Sequence, residues 1–334
     1  MATTDKEITI DKYRREYGKG IAKCFSEVYG DGYPIKSVYD PDMLQEEFIK
    51  GNFYPVVALN DRNEVIGVMA IYRSSPAYHK IYEAGAGIVL PEYRGKNIAT
   101  MLFQYLSERL SGEFELEEIF GESVCNHTKI QKMVVHNGYL ETGIEIDLMP
   151  FEAYTREASS SGRVSTTIHF LCLKDKPQDI FVPEVYTKEL EFLYLDSKRK
   201  RTLIPSKADI PSGSVTTGNH SFFEFARVNR LTITTIGEDI GSFIENVEKR
   251  LLVKGMYVSQ VFLRLDCSWI GRAIDVLRTK GYFLGGTLPR WFDADGIFMQ
   301  KIYGKPNWDG INLYSSRAKK ILTFIRADWE RTQH

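Results

Sequence analysis

Between Glu83 and Ala99 the chain passes from an apolar run, Glu83-Ala84-Gly85-Ala86-Gly87-Ile88-Val89-Leu90, through Pro91-Glu92-Tyr93-Arg94-Gly95-Lys96-Asn97 into helically spaced Ile98, Leu102, Tyr105, Leu106 and Leu110. The run reads as a strand, and Pro91, which has no amide hydrogen to give a ladder, stops it. Strand, small-residue loop and helix make an anion-binding geometry. The first amides of a helix have no intrahelical acceptor and the helix dipole is positive there, so a pyrophosphate can take those donors, helped by Arg94 and Lys96.

The flanking sequence sets this segment in an alternation of strands and helices. Glu7 to Ile10 reads as a short strand and Asp11 to Val28 as a helix that Asp11 can cap. Tyr29 to Pro41 has a loop composition, and Asp42 to Lys50 reads as a second helix. Tyr54 to Leu59 and Val65 to Tyr72, separated by Asn60-Asp61-Arg62-Asn63, predict an antiparallel pair. Ile81 to Leu90 is the next strand and Ile98 to Leu110 the next helix. Glu118 to Ser123 reads as a strand, His127 to His136 as a helix ended by Asn137-Gly138, and Tyr139 to Leu148 as a strand. The order predicts an α+β fold with a mostly antiparallel central sheet. Thr155 to Arg163, with Ser159-Ser160-Ser161-Gly162, looks like a mobile connection, and a strand from Thr166 to Lys174 could complete the first sheet.

With 334 residues, enough for two ordinary domains, the boundary is expected near Asp175, giving domains 1–174 and 175–334. The second half repeats part of the plan. Strands are expected at Leu231 to Ile236, Tyr257 to Leu265, Tyr282 to Leu288 and Gly296 to Ile302, and helices at Asp239 to Lys254 and Trp269 to Lys280. The corner Leu277-Arg278-Thr279-Lys280-Gly281-Tyr282 echoes Val134-Val135-His136-Asn137-Gly138-Tyr139, which suggests a degenerate internal duplication.

The stretch Arg94-Gly95-Lys96-Asn97-Ile98-Ala99 resembles the signature of the GNAT family of N-acyltransferases: Gln or Arg, two residues, Gly, one residue, then Gly or Ala. Asn97 stands where the family has its central Gly, a replacement Asn tolerates because it enters left-handed conformations more readily than other non-Gly residues. The resemblance spans Glu7 to Lys174 and implies an acyl-CoA domain, with acetyl-CoA as cosubstrate and no metal. It implies that the main chain at Ile88 and Val89 hydrogen-bonds the pantetheine arm, that Arg94, Gly95, Lys96, Asn97, Ile98 and Ala99 take the pyrophosphate, and that His127 flanks the cofactor. Tyr29, Tyr33 and Tyr39, beside Pro34, lie where the family forms its acceptor wall, and aromatic rings there could hold an amine or its apolar stem.

An alkylamine of pKa near 10.4 is mostly ammonium at neutral pH, and only the neutral form attacks a thioester, so a base is useful. Glu83, on the signature strand, matches the catalytic Glu of the protein-lysine-acetylating branch; Glu122, on the next strand, is the second candidate. The tyrosine many members use to protonate the thiolate falls at Val134, so the usual acid is absent. The expected activity is N-acylation of a primary amine of a small molecule or protein lysine; the alternative is a non-catalytic acyl-CoA sensor.

A net charge of −1 gives no field to attract nucleic acid or an anionic membrane, and no stretch approaches a membrane helix, so a soluble cytoplasmic protein is expected. Transfer of an aminoacyl group from charged tRNA would call for a broader basic face. Cys24, Cys125, Cys172 and Cys267 form no CxxC pair and the histidines no HxxxH or HxH spacing, so free thiols and no metal site are expected. Without a counterpart of the Arg94 to Ala99 motif, the second half could cover the acceptor cleft, build a homodimer or sense a ligand. In it, Pro289-Arg290-Trp291-Phe292-Asp293-Ala294-Asp295 is expected to be a loop packing its Trp, and Lys198-Arg199-Lys200-Arg201 a solvated helix surface.

Overall fold

Val65 to Tyr72 contains no charged residue, and such a strand must be covered on both faces. It becomes the central strand of the first of two units, Met1–Gly121 and Glu122–His334, into which the computed structural model divides. The structure describes residues 8–152 and 162–333, so Glu7 and the part of the expected connection from Thr155 to Ser161 lie outside the described residues.

The first unit runs β1 (Thr9–Lys12), α1 (Gly18–Tyr29), α2 (Pro41–Ile49), β2 (Phe53–Leu59), β3 (Val65–Tyr72), β4 (Ile81–Val89), α3 (Ile98–Tyr105), a π-helical turn at Leu106–Leu110, a single turn α4 (Ser111–Glu113) and the start of β5 (Glu118–Val124). Strands β1 to β4 pair antiparallel in sequence order, and β5 joins β4 in parallel. The helix expected from Asp11 begins only at Gly18, because Asp11 is committed to β1 opposite Val57 and its carboxylate accepts the Tyr17 hydroxyl at 2.8 Å. Helix α1 packs Ile21, Cys24 and Phe25 inward, and a Cβ on Gly20 would come within 2.7 Å of Val65 Cγ2, so glycine sets the helix-to-sheet distance. Helix α2 is started by Pro41 in its first turn and by the Asp40 carboxylate, which accepts from the Asp42 and Met43 amides.

The second unit continues with α5 (Lys129–His136), β6 (Leu140–Met149), β7 (Val164–Cys172), β8 (Gln178–Val182), α6 (Thr187–Tyr194), β9 (Arg201–Pro205), β10 (Thr217–Phe223), β11 (Val228–Thr235), α7 (Ile240–Leu252), β12 (Val258–Arg264), α8 (Ile270–Thr279), β13 (Phe283–Leu288), β14 (Gly296–Ile302) and α9 (Ser316–Arg331). Its main sheet runs β7-β6-β13-β14-β12-β11-β10, and β8 and β9 form a separate parallel pair. Strands β6 and β13 meet at Gly143 and Gly286, where a Cβ on Gly286 would lie 2.3 Å from Gly143 Cα. Only glycine allows that approach.

Strands β11 and β12 are parallel and joined by α7; α8 follows, and the hairpin β13–β14 then returns with β14 between β12 and β13. The series β4, α3, β5, α5, β6, β7 has the same plan, β7 lying beside the end of β5, where the Cys125 amide donates to Ser165 O at 2.8 Å. Both series therefore follow one order of elements, and each carries a Gly-Tyr corner. Compactness divides the chain at Gly121, whereas the expected domains, 1–174 and 175–334, follow the order of elements and remain our proposal for the repeated unit.

Lys198-Arg199-Lys200-Arg201 is not a solvated helix surface. Arg199 and the side chain of Arg201 are buried, and Arg201 opens β9, its guanidinium bonded to Asp295 at 2.8 Å and Asp175 at 2.8 Å. The Pro289 to Asp295 segment packs Trp291 with no exposed surface. Cys24, Cys125 and Cys267 are free thiols, and burial pushes those of Cys24 and Cys125 up to about 12 and that of Cys267 up to about 11, leaving them un-ionised at neutral pH.

Candidate active site

Strand β4 separates from β5 early. Their ladder runs from Ile81 opposite Glu118 to Glu83 opposite Phe120, while β4 continues to Val89. On its other edge β4 stays with β3, pairing Glu83 with Tyr72 and Gly85 with Ala70, then shifts register before Ile88 meets Val68. The shift coincides with Ala86, whose φ of 53° is left-handed, between two glycines that relax the local crowding.

Beyond Val89, Gly95 has a φ of 82° and Asn97 a φ of 62°, and Asn97 is the left-handed N-cap from which α3 starts, its carbonyl accepting the Met101 amide at 3.1 Å. The amides of Ile98, Ala99 and Thr100 therefore form the open first turn. Arg94 Nε donates to Val89 O at 3.2 Å, fixing its exposed side chain beside the loop, and the Lys96 ammonium lies 5.3 Å from the Tyr93 ring. A side chain on Gly95 would meet nothing within 4 Å, so its glycine serves the backbone angle. Replacing Asn97 by Gly is expected to preserve stability and by Val to cost about 1–2 kcal/mol, read from urea midpoints; a Val variant as stable as the parent would contradict a left-handed cap.

Glu83 and the aromatic loop come together in this same unit. Tyr72 Oη donates to Glu83 Oε1 at 2.5 Å. The Tyr33 ring packs on Phe25 at 4.8 Å and on Tyr29 at 5.1 Å, and its amide donates to the Tyr39 hydroxyl at 2.9 Å. Burial pushes the Tyr33 phenol well above its ordinary range; Tyr29, Glu83 and Tyr39 push it the same way, while the Ala86 amide, donating to its oxygen, opposes them. Tyr72 thus orients Glu83, while Phe25, Tyr29 and Tyr39 brace Tyr33. Tyr72 was missed by sequence reasoning; its pairing opposite Glu83 across the hairpin was the available signal.

Glu122 stands in the second unit, its Oε1 2.6 Å from Arg230 Nη2. The same nitrogen reaches Glu145 Oε1 at 2.8 Å, and Glu145 also accepts from Gln260 Nε2 and Thr166 Oγ1, each at 2.9 Å. Glu122 is thus held in a half-buried ion network whose partners sequence reasoning missed, although a Glu between Ile144 and Ile146 was a visible anomaly. His127 does not open α5, which starts at Lys129 with Thr128 as its cap residue; the His127 carbonyl accepts from Gln131 Nε2 at 3.1 Å instead. Val134 is buried on α5.

At the corresponding corner of the second half, the start of α7 is closed by the chain itself. Asp239 accepts from the Thr216 amide at 2.6 Å and Glu238 from the Gly213 amide at 2.7 Å, and a Cβ on Gly237 would lie 2.5 Å from Thr216 N. Two carboxylates occupy the place where the first half offers cations.

Residues 19–138 match the model of the acetyltransferase (GNAT) family. That stretch is a GNAT-family domain. Its fold is the mixed α/β arrangement with a mostly antiparallel sheet, followed by a further β-rich region. Similar solved structures include mutant forms of the spermidine/spermine N-acetyltransferase SpeG from Vibrio cholerae, at 15% identity over 50% of this chain and 95% of that one, TM-score 0.38. A putative acetyltransferase from Acinetobacter baylyi is 17% identical over 51% and 95%, TM-score 0.41. Ribosomal-protein-S5-alanine acetyltransferase from Vibrio fischeri is 12% identical over 49% and 92%, TM-score 0.40. At such scores these likenesses add nothing to the family match. No curated protein matches the chain. Among the described residues no helix is long and apolar enough to cross a membrane, and no group of three His, Cys, Asp or Glu side chains could hold a metal ion.

Proposed function

We propose that this chain transfers an acetyl or other short acyl group from acyl-CoA to a primary amine, of a small molecule or a protein lysine, in the cytoplasm. The observation that carries the reading is the coupling of an early-opening β4 to a left-handed Asn97 cap that bares the first turn of α3 beside Arg94 and Lys96. On this reading Ile88 and Val89 offer main-chain groups to the pantetheine arm, and Arg94 to Ala99 hold the pyrophosphate. Glu83 removes the amine proton directly or through water, the rings of Tyr29, Tyr33 and Tyr39 hold the amine's apolar stem, and a main-chain N–H near Val89 polarises the thioester carbonyl. Glu122, tied to Arg230, is the weaker candidate for base, and His127 remains our candidate for a cofactor contact.

Calorimetry tests the first step. Acetyl-CoA is expected to bind, and Arg94→Glu to weaken binding by about tenfold to a hundredfold, the worth of one hydrogen bond to a charged group together with the reversed charge. Absence of binding heat in the parent chain would sink the reading. Binding without turnover, across a panel of amines, would favour the acyl-CoA sensor that Val134 brings into view.

A further inference from the structure

The tyrosine that holds Glu83 also lines an open cavity of about 390 Å³, within the size range of small-molecule sites. Ile35, Ser37, Glu47, Phe53 and Arg73 complete most of its wall. We propose that this cavity holds the tail of the acceptor, that the tail is a carboxylate, and that Arg73 selects it. The inference rests on the acyl-transfer reading above and narrows its substrate to an amine that carries a carboxylate a short chain away.

Tyr72 ties the cavity to the chemistry. Its hydroxyl donates to Glu83 at 2.5 Å, and its ring stacks on Phe53 at 5.7 Å with 20° between the planes, so a molecule in the cavity lies against the side chain that orients the base. Ile35 and Ser37 come from the loop between α1 and α2, which also carries Tyr33 and Tyr39. One wall of the cavity is therefore the loop already assigned to the acceptor.

The two charged side chains of the lining differ in how they are occupied. Glu47 accepts from Asn52 Nδ2 at 2.9 Å and stands 3.6 Å from the Lys50 ammonium, so its charge is answered by the chain. Arg73 is exposed, and among the described residues no carboxylate pairs with it. It is held instead by the ring of Tyr82, whose centroid lies 5.1 Å from its Cζ, and by its amide, which donates to Asn52 O at 2.9 Å. Tyr82 is buried and its hydroxyl donates to Gly51 O at 2.8 Å, which fixes the ring. A guanidinium laid over a fixed ring is pre-oriented, and its planar N–H fork can meet a carboxylate with two parallel hydrogen bonds. The rings of Phe53 and Tyr72 suit the methylenes between the two ends of such a molecule. With the tail on Arg73, the amine points to Glu83, and the tail takes no part in the chemistry.

The test compares acceptors matched in length. With acetyl-CoA as donor, β-alanine, γ-aminobutyrate and ε-aminocaproate are set against the alkylamines and diamines of the same chain length. The parent chain is expected to show its highest kcat/KM with one of the amino acids. Arg73→Gln should lower the ratio of kcat/KM for that amino acid to that for its matched alkylamine by about tenfold to a hundredfold, the worth of hydrogen bonds to a charged group. The loss should fall on KM, since the tail is held alike in the ground and transition states. Arg73→Lys, which keeps the charge without the fork, should recover part of the ratio, and Arg73→Glu should turn the preference to the diamine. A ratio unmoved by Arg73→Gln, or a parent preference for the alkylamine, would overturn the carboxylate tail and leave acyl transfer standing. A parent preference for the diamine that Glu47→Gln abolishes would overturn it in favour of a second ammonium. No turnover of any amine would instead overturn acyl transfer itself, and the tail with it.

Discussion

Glu83→Gln should leave acetyl-CoA affinity unchanged while kcat falls by about a hundred- to ten-thousand-fold. The glutamine keeps the shape of the side chain and can still accept the Tyr72 hydroxyl, so the hairpin contact at 2.5 Å survives and only proton acceptance is lost. The measurement is steady-state turnover at saturating donor, beside calorimetry on the same preparation. Raising the pH should recover part of the rate, because more of the amine then arrives neutral without help. A glutamine variant with parental turnover would remove Glu83 from the chemistry and leave Glu122 to be tested in the same way.

The largest effect on stability is expected at Arg201. Its side chain is 2% exposed and bridges Asp175 and Asp295, the latter with no exposed surface. Arg201→Ala would leave the Asp295 charge buried without its principal partner, a change that typically costs about 3–5 kcal/mol. The double variant Arg201→Met with Asp295→Asn should recover much of that loss, because a desolvated charge is far dearer than its neutral isostere. Urea midpoints of the single and double variants measure the difference, and a single variant within about 1 kcal/mol of the parent, the ordinary size of a mutational effect, would show the cluster to be hydrated.

Much of the fold was legible because it follows from local rules. The bounds of β3 and β14 were read to the residue, since apolar runs ended by turn residues leave no alternative register. Asn97 was legible for a chemical reason: where the resembling signature has Gly, Asn is the non-Gly residue that most readily enters the left-handed region, and its φ is 62°. The start of α1 was misread because Asp11 is both a fair cap and a fair edge-strand residue, and only its pairing with Val57 decides. Strands β8, β9 and β10 were not read: β10 is largely exposed, so its sequence carries little alternation. Helix α9 could have been found, with Ala318, Ile321 and Ile325 at helical spacing behind a Ser315 cap. Within the site, Glu83 and the tyrosines of the first loop were legible from position. The Arg230 and Glu145 grip on Glu122 was not, because it joins strands far apart in sequence, and no periodicity encodes a contact of that kind.

The start of α7 is sealed by its own chain. Opening an anion pocket there would require displacing the strap at Gly213 to Thr216 and replacing two acidic side chains, which breaks the hydrogen bonds from the Gly213 amide to Glu238 and from the Thr216 amide to Asp239. The first turn of α7 therefore meets an incoming anion with carboxylates and a covering strap, and anion binding in that half falls to other surfaces.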